Sequence, residues 1–332
     1  MKRWLAAMCG LLVCCGRPAL DTEGVDPEYL ANFAPAPEVM ESKENPFSEE
    51  KAALGKMLYY ETRLSKEKNI SCNSCHPLDG YGVDGQPVST GHKGQRGSRN
   101  APTVYFAAGH KRQFWDGRAE TVEEQAKGPM MNPVEMAMAD AKDVEQALRS
   151  IAGYGEWFRK AFPGEAQPVT LDNAARAIGA FERKLVTVSR WDRFLKGDKT
   201  ALNKEEQAGF LAFYKSGCVV CHGGQYLGGQ VFMKLGLYKP WPKEEDTGRS
   251  ALTKKEADRM MFKAPSLRNI EKTGPYFHDG SVGTLEETVR LMSEHQLERP
   301  VTESEQKRIV AWLRSLTGDL PAAYIAAPTM PK

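Results

Sequence analysis

Two short runs in this chain have the residue types and spacing for covalent cofactor chemistry: Cys72-Asn73-Ser74-Cys75-His76 and Cys218-Val219-Val220-Cys221-His222. A C-x-x-C-H run is the attachment site of a c-type haem. The two cysteines form thioethers to the two vinyl groups of one porphyrin edge. The histidine that follows sits beneath the iron and offers it a ring nitrogen. The chain has seven cysteines; Cys9, Cys14 and Cys15 lie near its start, and the other four all belong to these runs. Four such cysteines could hold one zinc, but the pairs are too far apart along the chain for a compact zinc module. Disulfides in an oxidising compartment give no reason for a histidine after both pairs. Two covalently bound haem c groups, on Cys72, Cys75, Cys218 and Cys221 with His76 and His222 as iron ligands, are the expectation.

The sixth ligand decides what each iron does. A strong ligand on both sides gives electron transfer, whereas an open or openable side permits chemistry on a small oxygen ligand. Of six histidines, two are already used. His92 lies in Gly91-His92-Lys93-Gly94-Gln95-Arg96-Gly97, in a loop that also holds Gly80, Gly82 and Gly85. Glycine at this density permits unusual backbone angles and loop motion, so His92 is a candidate for a ligand that can leave. A solvated loop histidine fits the spacing as well. Met292 would give His/Met ligation and a raised potential, although a core role is commoner for any single Met. His295, farther along the same segment, competes with it.

The elements that must position these groups are helical. Ser48 can cap a helix running to about Tyr60, just before the first motif. Asn203 and Glu206 form a capping box for a helix that Gly217 stops just before the second. Further helices are expected at 141–151, 170–186 and 303–316, the last capped by Thr302, and strand-like alternation is scarce. One constant sequence offset relates Ala101-Pro102-Thr103 to Ala264-Pro265-Ser266, Trp115-Asp116-Gly117 to His278-Asp279-Gly280, and Thr121-Val-Glu-Glu124 to Thr284-Leu-Glu-Glu287. The last two tetrapeptides have the form of capping boxes. The fold class expected is mainly α: two diverged cytochrome-c-like haem domains, 47–188 and 189–320, with long haem-wrapping loops. A proline-marked linker or wrapping segment, 20–46, precedes them, and a tail, 321–332, follows.

Composition agrees with this. The chain has 332 residues, 41% hydrophobic and 27% charged, and a formal charge of +2. That is an ordinary globular balance, two domains long, without the basic footprint of a nucleic-acid binder. Residues 1–19 read as a signal peptide: Lys2 and Arg3, then the apolar run Trp4–Cys15, then small residues with cleavage after Gly16 or Ala19. The run is shorter than the roughly 20 residues of a membrane helix. A lipid on Cys15 ranks second, since Val13 and Cys14 are poor predecessors of a lipidated cysteine. No transmembrane span is expected, and the mature protein is placed in the periplasm.

CNSCH, GHKGQRGSRNAPT, FWDGR, MNPVEM, CVVCHGG, PYFHDGS and the TLEETVRLM helix together resemble the bacterial di-haem cytochrome c peroxidases, over nearly all of the mature chain. The resemblance implies that the N-terminal haem is the low-potential peroxidatic centre, with His92 as its displaceable ligand. The C-terminal haem is then the high-potential centre that receives electrons, with Met292 as its sixth ligand and His278 close by. Trp115 falls at the tryptophan between the haems, Glu135 at the distal acid/base glutamate and Gln125 at its companion. Asn100, with the carbonyls of Thr273 and Pro275, falls at an interdomain calcium site. Hydrogen peroxide is the implied oxidant. The implied donor is a small exported cytochrome c or blue copper protein (a cupredoxin), and the family's frequent dimers leave a homodimer open. A buried pocket would raise the proton affinity of Glu135, as its role requires. Two competing functions are a di-haem electron carrier without catalysis and, less favoured, a protein-tryptophan-oxidising di-haem enzyme. The latter carries tyrosine where this chain has Met292. Residues 239–259 yield no reading.

Overall fold

Each half is built on two long helices that cross at a glycine. In the computed structural model, which describes residues 24–332, α1 (Glu49–Tyr60) starts where the Ser48 side chain accepts from the Lys51 N–H. The proposed signal segment, with Cys9, Cys14 and Cys15, lies outside the described residues. Four more helices of at least eight residues belong to the first half: α2 (Val122–Met131), α3 (Ala141–Ser150), α4 (Tyr154–Ala161) and α5 (Leu171–Glu182). The second half has α6 (Arg190–Leu195), α7 (Lys204–Lys215), α8 (Leu285–Gln296) and α9 (Glu303–Arg314). A side chain at Gly55 of α1 would run into the Ala177 carbonyl of α5, and one at Gly209 of α7 into the Arg308 carbonyl of α9. Both crossings therefore bring backbone against backbone, which only glycine allows.

The expected helices are present within a residue or a few, and their caps are local. Asn203 and Thr302 make full capping boxes with Glu206 and Glu305. The boxes expected at Thr121 and Thr284 are half formed. Each threonine accepts from the third residue on, but Glu124 turns to Lys127 and Glu287 to Arg290 instead of reaching back. Helix α4 was not expected. Gly153 and Gly155 at its start mask the buried stripe of Tyr154, Phe158 and Ala161.

One apolar cluster draws on residues 191–316 and reaches back to Phe33; Trp191, Phe210 and Trp312 are its largest fully buried members. Two others draw on residues 40–185 and on Ile325. Burying each such side chain contributes about 1.5–3 kcal/mol. Both flanking segments tie the halves together. Phe33 packs against Trp191 and Phe210, Pro35 accepts from Gln225, and the Ala36 N–H donates to Asp192. At the other end the Tyr60 hydroxyl donates to the Ile325 carbonyl.

Strand content is slight. β1 (Val188–Ser189) pairs antiparallel with β4 (Gly318–Asp319), with Val188 opposite Asp319. β2 (Phe232–Lys234) pairs antiparallel with β3 (Met261–Lys263), with Phe232 opposite Lys263. The repeat seen in sequence is also a repeat of shape. The bridge Gln113–Ala119 recurs as Tyr276–Val282, and the left-handed residues Phe106, Phe114 and Gly117 recur as Asn269, Phe277 and Gly280.

Candidate functional site

A single cavity of about 1700 Å³ runs between the halves, lined by Cys75 and His76 from the first and by Cys218, Cys221 and His222 from the second. A pocket for one cofactor-sized molecule holds about 300–1,000 Å³, so the space suits two. One helical turn, Cys72–Cys75, and one 3-10 turn, Cys218–Val220, present the motifs. All four cysteines are free. His76 Nδ1 donates to the Gly82 carbonyl at 3.1 Å and His222 Nδ1 to the Pro265 carbonyl at 3.0 Å. Both rings thus carry their proton on Nδ1 and keep Nε2 for a metal. Burial lowers the proton affinity of both, that of His222 to about 4, which favours the neutral, ligating form. The residues present fit two haems. Cys72 is not on the cavity wall; it packs with the cluster of Tyr59 and Phe181.

Glu135, Gln125 and Trp115 line the same cavity. Glu135 sits in the turn after α2, where its Oε1 accepts from Asn132 Nδ2 at 2.7 Å. Burial raises its carboxyl above the usual value, and Arg118 and the Asn132 bond oppose the rise without cancelling it. The half-buried Trp115 donates from Nε1 to the Asn100 carbonyl at 2.9 Å.

His92 is buried and is not among the cavity-lining side chains. Its loop is closed. The Gly91 N–H donates to Gln95, Thr90 bridges to Arg96, and the His92 N–H meets the carbonyls of Val134 and Glu135 at 2.9 Å each. Met292 lines the cavity from α8. His295, on the same helix, turns away: its Nδ1 donates to the Lys239 carbonyl and its ring meets Trp241 edge to face.

Asn100, Thr273 and Pro275 all line the cavity. Asn100 Nδ2 donates to the carbonyls of Gln86 and Pro87, and its Oδ1 has no partner among the described residues. His278 also lines the cavity, stacked on Phe262 with centroids 4.3 Å apart.

Sequence reasoning missed several wall residues. Arg99 forks across the seam onto Asp246 while also binding Asp116, so the stretch 239–259 contributes to the site. Glu182 is a buried carboxyl on the wall, raised to about 8 by burial and by Glu123. Lys263 and His110 line it too. The repeat carried a signal for Lys263, which precedes Ala264-Pro265-Ser266 as Asn100 precedes Ala101-Pro102-Thr103.

A family model described as di-haem cytochrome c peroxidase matches residues 49–200. The cytochrome c551 peroxidase of Nitrosomonas europaea is 48% identical over 278 residues, 83% of this chain and 82% of that protein. The cytochrome c551 peroxidase of Pseudomonas aeruginosa is 43% identical over 317 residues, 94% of this chain and 91% of that protein. A solved structure of a MauG-like protein associated with microbial copper homeostasis superposes with a TM-score of 0.79 at 32% identity, covering 88% of this chain and 97% of that one.

Proposed function

The chain belongs to the di-haem cytochrome c peroxidase family, and from that premise we propose how its two halves divide the reduction of hydrogen peroxide to water. The protein is a peroxidase with two haem c groups, and a c-type cytochrome donates its electrons. One peroxide, two electrons and two protons give two waters. When bound, the haems supply the electrons and the iron at which the O–O bond breaks.

In this proposal the halves are residues 47–188 and 189–320. Cys72, Cys75 and His76 hold the peroxidatic haem, and Cys218, Cys221, His222 and Met292 hold the one that receives electrons, beside His278. Glu135 takes the proton from one peroxide oxygen and returns it to the other, which leaves as water. Such acid–base help is worth roughly 10²–10⁴-fold. The Asn132 bond aims the carboxyl, and its raised proton affinity suits a group that must give the proton back. Gln125 shares the wall, and Trp115, held by the Asn100 carbonyl, is assigned the path for electrons between the haems. His92 is the ligand that comes and goes, through opening of the loop clasped on Val134.

The observation that carries this reading is the continuity of one cavity past His76, Glu135, Trp115 and His222. Mixing half-reduced protein with one equivalent of peroxide tests it. Rapid oxidation of both irons is expected; slow oxidation would leave an electron carrier.

Finer assignments belong to the same proposal. Val220 of the second motif, Leu237 and Tyr238 are exposed and line the cavity, and they are assigned as an apolar landing for a small donor protein, a cupredoxin included. Asn100 Oδ1 and the Thr273 and Pro275 carbonyls are hard oxygen donors of the kind calcium takes. The apolar N-terminal run supports a cleaved signal peptide and a periplasmic protein, which operates as a monomer or homodimer. Among the described residues no helix is long and apolar enough to cross a membrane.

A further inference from the structure

Lys263 is a buried cation for which the mechanism above has no use. Among the described residues three lysine or arginine side chains are buried: Arg183, Lys263 and Arg268. Arg183 pairs with Glu123 at 2.5 Å and Arg268 with Asp192 at 3.0 Å. Among the described residues Lys263 meets no carboxylate, and its Nζ has one polar contact, His110 Nδ1 at 3.2 Å. An ammonium only donates, so His110 accepts on Nδ1 and carries its proton on Nε2, which is buried without a partner. Two of the three Lys263 donors remain free. A buried charge persists where it is paired, and burial alone already lowers the proton affinity of Lys263 to about 8.

The pair straddles the seam. His110 comes from the first half and Lys263 from β3 of the second, and both line the haem cavity. The Lys263 backbone is held by the Trp115 carbonyl and by its pairing with Phe232. Of the other cations on that wall, Arg99 is taken by Asp116 and Asp246 and Arg118 by Asp116, while Arg96, Lys215 and Arg299 are exposed to solvent. What the cavity receives and the protein does not itself provide is a set of carboxylates, because each haem c carries two propionates on the edge opposite its thioethers. We infer that Lys263, oriented by His110, is the anchor for a haem propionate at the seam between the halves. It is a positioning residue that also sets the charge around that cofactor. The inference rests on the two haems being held here and is independent of peroxide turnover.

The test uses the matured holoprotein, with haem content measured first. K263Q removes the charge and K263R keeps it. Removing a cation beside a haem favours the ferric state. In K263Q the ferrous-to-ferric ratio of one haem at fixed ambient potential should fall about tenfold, equivalent to about 59 mV for a one-electron couple. K263R should stay near wild type. Full haem content with both potentials unmoved in K263Q would overturn the inference. If K263Q fails to mature, a crystal structure of the wild-type holoprotein decides. A propionate oxygen within about 3.2 Å of Nζ is expected, and none within hydrogen-bonding reach refutes it. A sample with two haems and no turnover would end the peroxidase reading and leave this one standing.

Discussion

The Lys263 N–H donates to the Trp115 carbonyl at 2.8 Å, and a matching bond runs the other way, from the Asn100 N–H to the His278 carbonyl at 2.7 Å. The offset that takes Asn100 to Lys263 also takes Trp115 to His278, so the halves exchange equivalent backbone bonds across their seam. Trp115 is thus gripped from both sides, since its indole also donates to the Asn100 carbonyl. A shift of either half is felt at Trp115, on the cavity wall.

That grip gives the calcium proposal a consequence. Asn100 belongs to the exchanged bonds and to the proposed ion site, so loss of the ion should loosen the seam. With a chelator present, half-reduced protein should keep its N-terminal haem low-spin and lose turnover several-fold. An EPR spectrum and a metal assay on the same sample check this; unchanged signals in metal-free protein would remove calcium from the account.

Glu135→Gln should keep both haem spectra and lower peroxide turnover by roughly 10²–10⁴-fold. The wild-type profile of kcat/KM against pH should show where the carboxylate is needed. Burial raises this carboxyl above its ordinary 4.5, so the protonated, non-accepting form persists to higher pH than in a free glutamate. Activity should then fall on the acid side through a value above 4.5. A rate equal to wild type in the glutamine variant removes Glu135 from the proton path.

His92→Gly should leave the N-terminal haem high-spin even when fully oxidised. Because His92 is clasped to Val134 and Glu135 through its backbone, the glycine keeps both bonds and removes only the ring. A bis-histidine EPR signal that survives would assign the ligand elsewhere.

Met292→His should lower the potential of the C-terminal haem by an appreciable share of the roughly 0.8 V that axial ligands command. His295→Ala should leave that potential unmoved, because the His295 ring is committed to Lys239 and Trp241. Potentiometric titration of both variants separates the two residues; a shift in the His295 variant alone would reverse the assignment.

The parts of this protein legible in its sequence are those fixed over short distances. Ser48, Asn203 and Thr302 mark helix starts because a cap is satisfied within three residues. Thr121 and Thr284 promised full boxes and gave half, because Lys127 and Arg290 compete locally for the same glutamates. That His92 is buried away from the cavity wall was not legible, since it depends on a loop closing over the distant Val134. Asp246 was illegible for the same reason, and the repeat that pairs Lys263 with Asn100 gave no hint of the partner Lys263 would meet. Each acquires its meaning from the opposite half, through Arg99 in one case and His110 in the other.

Asp192 shows how much such a long-range contact can hold. Its carboxylate accepts from Ser189 at the start of α6, from the Ala36 N–H of the N-terminal segment, and from Arg268, with both charged side chains 1% exposed. Removing the arginine strands a carboxylate in the core, so Arg268→Met should destabilise the fold by about 3–5 kcal/mol. Burial alone would raise the Asp192 carboxyl. Arg268 and the Ser189 bonds outweigh it and hold the group below its ordinary 3.8. A depressed carboxyl stabilises the fold fully above its unfolded value and loses that contribution as pH falls through the folded one. Wild type should therefore lose stability below about pH 3.8, and Asp192→Asn, which keeps an acceptor but no charge, should lack this component. Thermal unfolding of the three proteins between neutral pH and pH 3 checks both points, and an Arg268 variant as stable as wild type would show that the pair contributes little.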